Sequence, residues 1–476
     1  MGSTFSGLNT ALTSLYAQRR GLDVTGQNIA NANTEGYTRQ RVVLSSQNAN
    51  LVPGMYATST EPGGGVAVSS VDRLRNAGLD QRSYTEHANS AFHNARAGAY
   101  GLIEDVFAEP SDTALQGRLA DMWEGWNKVA ATPGDTSAKA ALLEQASTVA
   151  STINDAATAL NNQYKSARTN LGTDVDEINQ TATALAKLNH EIVIAQQSGL
   201  APNELKDQRG QLALKLSEMA GASFSETPNG GMNVYIGNAP LVSGFTTRTI
   251  EIEPGSASRL EDLASTDINL RFADTKAPVA AGGTLGATME LLVKGGTLDT
   301  MTQRLDTVAT KLANDVNAIH NTAYAIDGTP GGDFFVRNDG LPGNVTAAQI
   351  RVAVTDPAKL AISSGDPTGT PRVLDGNKAN DLADLADSRV GADAEYRSLI
   401  GELGVSAQSA QRRRDVQNAV TDQVDAARDA ESGVNLDEEM TNLLTFQRGY
   451  EAASRVLTTI DSMLDQLINR TGMVGR

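Results

Sequence analysis

Residues able to do chemistry are few in this sequence, and their spacing suits none of the common reactions. The 476 residues include four histidines, His87, His93, His190 and His320, and no cysteine. A hydrolytic triad or a histidine-held zinc needs such groups converging on one surface. No HExxH pair occurs, and the step from His87 to His93 puts the two rings on different faces of a helix. No Gly-x-Ser-x-Gly elbow accompanies them. Each histidine therefore reads as an exposed or hydrogen-bonded helix residue. "GGTLGA" at 282–287 has glycines without the spacing of a dinucleotide or phosphate cradle. The acidic loops "DGTPGGD" (327–333) and "SGDPTGT" (364–370) lack the alternating ligands and final glutamate of an EF-hand, and turn chemistry accounts for them. Without cysteine there is no disulfide, thiolate metal site or thiol nucleophile. The expectation is no catalytic residue, no metal, no cofactor and no enzyme activity.

Charge and hydropathy narrow the partners. A net charge of −17 argues against nucleic acid, because phosphate binding needs concentrated Lys and Arg. The basic run "QRRRD" (411–415) is flanked by acids and predicts a solvated or subunit-facing patch. No run of ~18 apolar residues exists to span a membrane. The N-terminus "MGSTFSGLNTALTSLYAQRR" lacks the basic start and continuous apolar core of a cleaved signal peptide. Met1-Gly2 with Ser6 meets the myristoylation pattern, but that pattern is short and common. An aromatic content of 4% suits long helices lined by Leu, Ile, Val and Ala, and the length predicts roughly two to four domains.

The informative features are the elements themselves. Leu8, Leu15, Leu22 and Ile29 recur every seven residues, with Phe5 and Leu12 on the adjoining row, predicting a helix with one narrow apolar stripe. "NIANANTEGYTRQR" (28–41) ends it. Here Asn28 leads, Asn31 and Asn33 suit left-handed or side-chain-bonded helix ends, and Gly36 supplies a turn. Tyr37 offers an apolar anchor with a polar tip, and Arg39 and Arg41 share one face of an extended strand where acidic neighbours could meet them. "LVPGMYATSTEPGGGVAVSSV" (51–71) predicts a hairpin or extended arm.

Helices resume near Arg73 and continue to Gly199, broken at 109–110 and 132–134, with Tyr164, Leu171, Ile178, Leu185 and Ile192 again seven apart. Another helix starts at Pro202 and stops at Gly221. Residues 222–284 alternate apolar and polar between Gly and Pro and predict a small β-rich subdomain. Helices follow through Leu298 to Ile319 and from Asp393 to Glu431. The last helix has the strongest period: Leu436, Leu443, Tyr450, Leu457 and Leu464, with a companion row of Glu439, Phe446, Ala453, Ile460 and Leu467. Glu439 is the one charge in that seam, with Met440 beside it to compensate. A lone striped helix cannot bury its stripe, so the terminal helices must pair with each other or with copies. The predicted architecture is mainly α with a smaller β-rich part, elongated and nested. Residues 1–60 and 432–476 form a terminal coiled coil, 61–221 and 285–431 a helical rod, and 222–284 an inserted outer subdomain.

Five blocks in order resemble the hook-associated branch of the flagellar rod, hook and hook-associated family, specifically the hook-associated protein 1 group. They are "LNTALTSLYAQRRGLDVTGQNIANANTEGYTRQRVVL", "GGGVAVSSVDRLRNAGLDQR", "PNELKDQRGQLALKLSEMAG", "VNAIHNTAYAIDGTPGGDFF" and "SGVNLDEEMTNLLTFQRGYEAASRVLTTIDSMLDQLIN". One departure is Glu35, where the family usually has proline before the Gly-Tyr pair. The middle is also shorter than in many relatives.

The resemblance implies a structural protein of the bacterial flagellum, exported without a cleaved signal and joining hook to filament as a ring of roughly eleven copies. It implies hook protein, a second junction protein (hook-associated protein 3) and further copies of the chain as partners, with a cytosolic export chaperone on the C-terminal helix. It also implies termini that are poorly ordered in the monomer and form an inner tube on assembly, with Leu8, Leu12, Leu15, Leu22, Ile29, Leu436, Leu443, Phe446, Tyr450, Leu457, Ile460, Leu464 and Leu467 as the self-assembly seam. The competing readings are a hook or rod protein, and an adhesin or enzyme housed in 222–284.

Overall fold

The computed structural model describes residues 4–47 and 63–469, without the side chains of 4, 5 and 467–469. The seam position Leu467 and most of the expected arm at 51–71 thus lie outside the described residues or side chains. The chain opens with helix α1 (Thr4–Ala30), followed by strands β1 (Gln40–Gln47) and β2 (Gly65–Arg73). The two strands pair antiparallel, Gln40 opposite Arg73 and Gln47 opposite Gly65, with a bulge between Val43 and Leu44. The described part of the expected arm, from residue 63, therefore supplies the second strand of an antiparallel pair whose first strand starts inside the Asn-rich motif.

Helices α2 (Ala77–Phe107), α3 (Leu115–Ala131) and α4 (Thr136–Gln197) follow, separated where the sequence places its prolines. Asn76 caps α2, its side chain accepting from the backbone of Gly78 and Leu79, and Asp135 caps α4 through Ser137 N at 2.8 Å. With 62 residues, α4 is about 93 Å long at ~1.5 Å per residue. Helix α5 (Asn203–Ala220) stops where Gly221 takes φ +66°.

Strands β3 (Ser223–Glu226), β4 (Met232–Ile236), β5 (Ala239–Ser243) and β6 (Thr246–Thr247) make a four-stranded antiparallel sheet, and β7 (Ile250–Ile252) pairs with β8 (Leu270–Phe272). Then come α6 (Gly283–Leu292), α7 (Thr297–His320), the pair β9 (Phe335–Arg337) and β10 (Ile350–Val352), α8 (Asn377–Ala383), α9 (Ala392–Ser432) and α10 (Leu436–Asn469). The fold is mainly α with small antiparallel sheets, as the periodicities predict.

The seven-residue row of α4 is the spine of the core. Tyr164, Leu171, Ile178, Leu185 and Ile192 are all fully buried, and most of the row shares one cluster with Trp126 of α3 and Leu305, Val308 and Leu312 of α7. The strands of 222–284 lay Val234, Val242, Ile250 and Phe272 into that same cluster. Short strands leave backbone groups unpaired, and asparagines on α4 satisfy them. Asn179 exchanges two hydrogen bonds of 2.9 Å with the backbone of Ile250, and buried Asn189 donates to Met232 O at 2.7 Å.

Two of the histidines serve the fold. His320 is buried, with its ring between Gly332 O (2.6 Å) and Ala361 N (3.2 Å), and burial lowers its pKa. His87 sits between two carboxylates, Nδ1 2.9 Å from Glu218 and Nε2 2.8 Å from Asp425. The Glu218 bond, aided by Asp425, raises the His87 pKa against the effect of burial. As an imidazolium it donates to both, tying α2 to α5 and α9. The two acidic loops are Asx turns: Asp327 accepts from Thr329 N and Oγ1, and Asp366 from Thr368 N and Oγ1. Among the described residues no cluster of His, Asp and Glu is arranged to hold a metal, and no helix is long and apolar enough to cross a membrane.

Candidate assembly interface

The terminal helices pack against each other, antiparallel. Gly7 lies beside Ile460, Gln18 beside Gly449, Gly21 beside Phe446 and Asn28 beside Glu439. Stepping up α1 by eleven, three and seven residues moves the partner down α10 by the same amounts, which defines a single register.

The face that α1 turns to α10 is made of small residues. Ala11, Ala17, Val24, Thr25 and Asn28 are buried, and a methyl on Gly21 would stand 2.6 Å from ring carbons of Phe446. The apolar row Leu8, Leu15, Leu22 and Ile29 lies one residue away and is half-buried, while Leu12 is exposed. On α10, Leu443, Phe446, Leu457, Ile460 and Leu464 are half-buried, and Leu436 and Tyr450 are exposed. Small residues on one helix let the axes approach until large residues of the other fill the gap, so the largest side chains of α1 flank the contact.

Glu439 corrects the sequence reading most sharply. Instead of interrupting the seam, it is a buried charge within it, 2% exposed, whereas Met440, expected to cover for it, is 51% exposed. Its carboxylate accepts from Asn28 Nδ2 at 3.0 Å and from Arg39 Nε at 2.8 Å, with Arg39 Nη2 at 2.7 Å, and the third Arg39 nitrogen, Nη1, reaches Glu438 at 2.7 Å. Charge-assisted bonds of this kind are what a buried carboxylate requires.

Asn28 is fully satisfied: its amide donates to Glu439 and Gln40 O, and its oxygen accepts from Tyr37 OH (2.9 Å) and Gln40 N (3.0 Å). Burial, then the charges of Asp207, Glu204 and Glu439, push the Tyr37 pKa up to about 12, so its hydroxyl keeps the proton it donates. Arg41, the other motif arginine, is exposed and stands opposite Asp72 across the hairpin.

The end of α1 also differs from expectation. Neither Asn31 nor Asn33 is left-handed, since Ala108 and Lys276 are the non-glycine residues with positive φ among those described. Asn31 donates back to Gln27 O and accepts from the Thr34 hydroxyl, while Asn33 is exposed. The reversal falls to Gly36, φ +76°, with Tyr37 N bonded to Thr34 O at 3.1 Å. That is a type II turn, whose second position favours proline and is held here by Glu35. The Glu35 carbonyl accepts from Gln211 at 2.7 Å, a bond that proline would keep. Glu35→Pro is expected to stabilise the chain by about 0.4–1 kcal/mol by restricting the unfolded state, read as a higher urea midpoint. A lower midpoint would sink the turn assignment.

Sequence reading missed the α5 side of this joint. Asn203 donates to Gln40 Oε1 and Val71 O, Glu204 accepts from Gln27 and Gln40, and Asp207 accepts from Thr38 N and pairs with Arg73 at 2.7 Å. The available signal was a charged residue in an otherwise apolar seam, together with polar residues crowding the start of α5.

Comparison with known proteins agrees along the whole chain. Residues 100–335 match the family model described as the flagellar hook-associated protein FlgK helical domain. Residues 8–38 match that of the flagella basal body rod protein, and 429–470 that of the flagellar basal body rod FlgEFG protein C-terminal. Flagellar hook-associated protein 1 of Bacillus subtilis is 31% identical, covering 100% of both chains, and that of Escherichia coli is 25% identical over 97% of this chain and 99% of its own. The solved structure of the flagellar hook junction protein FlgK from Burkholderia pseudomallei shares the fold, with a TM-score of 0.59 at 15% identity, covering 74% of this chain and 99% of that one. With its full length matched, the chain belongs to the flagellar hook-associated protein 1 family.

Proposed function

We propose that this chain is a structural component of the bacterial flagellum that joins hook to filament and assembles through α1 and α10. The full-length match to hook-associated protein 1 carries the reading. The terminal pair supports it: α1 and α10 cover only one side of each other, leaving Leu12, Tyr16, Leu436, Met440, Leu444 and Tyr450 exposed. Apolar surface of this kind is worth ~25 cal/mol per Å2 when a neighbour covers it, so many modest side chains suffice for a stable joint. Further copies of the chain, in a ring of roughly eleven, would supply part of that cover, with hook protein below and hook-associated protein 3 above. In this reading 1–60 with 432–476 make the assembling terminal domain, 61–221 with 285–431 the rod, and 222–284 its outer subdomain. Export without a cleaved signal, with a chaperone holding the stripe from Leu443 to Leu467, keeps that surface from associating early.

Adding the purified chain to isolated hooks tests this. Electron microscopy is expected to show caps at the distal hook end, and none with a chain lacking 436–476. Self-polymerisation into long tubes would assign a hook or rod role instead.

A further inference from the structure

We infer that Asn28, Arg39 and Glu439 form a polar lock that selects the register of the α1–α10 pair. Heptad periodicity alone does not choose that register. Both helices repeat at seven residues, so sliding one along the other by a heptad, about 10 Å at ~1.5 Å per residue, superposes the same rows. In one slipped state Ser14 would face Phe446, Gly7 would face Ala453, and Glu439 would face Gly21. The serine then stands where Gly21 met Phe446, and the carboxylate meets a glycine, with Arg19 and Arg20 of α1 both exposed. In the opposite slip Asn28 faces Phe446, and Glu439 moves to the level of Glu35 beyond the helix end. Only the observed register gives Glu439 both the Asn28 amide and the Arg39 guanidinium.

The position of the lock strengthens the case. Arg39 is itself fixed, its backbone N–H donating to Ser432 O at 3.0 Å just before α10 begins. Asn28 is fixed by four hydrogen bonds that include Tyr37 and the backbone of Gln40. The lock thus references α10 to the hairpin rather than to α1 alone. A single buried polar contact choosing among apolar registers is the best-attested use of such groups in paired helices.

The absence of native cysteine makes the register readable by disulfide trapping in the full chain. Gly7→Cys with Ile460→Cys reports the observed register, since a Cβ at residue 7 lies 3.3 Å from Ile460 Cδ1. Gly7→Cys with Ala453→Cys and Ser14→Cys with Ile460→Cys report the two slipped states. In the otherwise native chain the slipped intramolecular bonds are expected at roughly a hundredth of the native one or less. Adding Asn28→Leu and Glu439→Leu together, which removes the lock by making both helix positions apolar, is expected to bring them within roughly tenfold of it. Slipped bonds that stay as rare as before would overturn the proposal, leaving the Phe446–Gly21 contact to set register. Loss of all three bonds would overturn it too, since the lock would then hold the helices together without choosing between registers. Because the readout is intramolecular, its failure leaves the hook-capping result untouched.

Discussion

Arg39→Met is expected to loosen the α1–α10 pair by about 3–5 kcal/mol, the usual effect of stripping the partner from a buried charge. Glu439 is 2% exposed and would keep only amide donors, Asn28 at 3.0 Å and, marginally, Asn442 at 3.5 Å. Neither carries a charge that could stand in for the guanidinium. The loss is local, because Arg39 lies between the terminal pair and the hairpin rather than in the α4 core. It should appear as faster amide exchange along α10 with α4 unchanged.

The double variant Arg39→Met/Glu439→Leu separates the buried charge from the packing. Replacing both members of a buried ion pair with apolar residues is often close to neutral, so most of the single-variant loss should return. Glu438, 59% exposed on its side chain, loses its partner in either case at little cost. If the two single effects simply add, the residues are not coupled and the lock is not a unit.

These residues also mark where sequence reasoning reached its limit. Periodicity found nearly every helix because a stripe at seven residues has one economical meaning, and the breaks at Pro110 and Pro133 fell where the structure breaks. It also found the α10 row Phe446, Ala453 and Ile460, since on that helix the facing residues are mostly large and apolar. On α1 the same logic selected Leu8, Leu15, Leu22 and Ile29, although the contact itself runs through Gly7, Gly21 and Asn28. Hydrophobicity weighs side chains by size, whereas close packing chooses small ones opposite large ones, and one helix read alone does not reveal which half of that bargain it holds. Glu439 was misread for a related reason. Its partners Asn28 and Arg39 lie some four hundred residues away in sequence, and only the antiparallel pairing brings them together. Likewise the α5 contacts from Asn203, Glu204 and Asp207 depend on where the hairpin folds back, which no local pattern encodes.

Gly21→Ala and Gly26→Ala, five residues apart in α1, are expected to have opposite signs. Each replaces a glycine inside a helix, which by propensity alone gains about 1 kcal/mol. Gly26 has open space around it, with nothing beyond its chain neighbours and the local helix backbone within 4 Å of where a Cβ would stand, so that gain should appear in full as slower exchange in α1 and a higher urea midpoint. At Gly21 the same methyl would meet three carbons of the Phe446 ring at 2.6–2.7 Å. The ring must turn or the helices must part, and overpacking of this kind costs about 1–3 kcal/mol. The cost outweighs the propensity gain over most of its range, so the net effect should be destabilising in the full chain. An isolated α1 peptide carrying Gly21→Ala should nonetheless be more helical than the native peptide, since Phe446 is absent. Adding Phe446→Leu to Gly21→Ala makes room for the methyl and should recover part of the loss. If Gly21→Ala instead stabilises the full chain as much as Gly26→Ala does, the ring gives way freely and the close approach of α1 to α10 does not depend on glycine. The opposite pair of signs would show that this glycine is kept for contact with Phe446, against the helix's own preference.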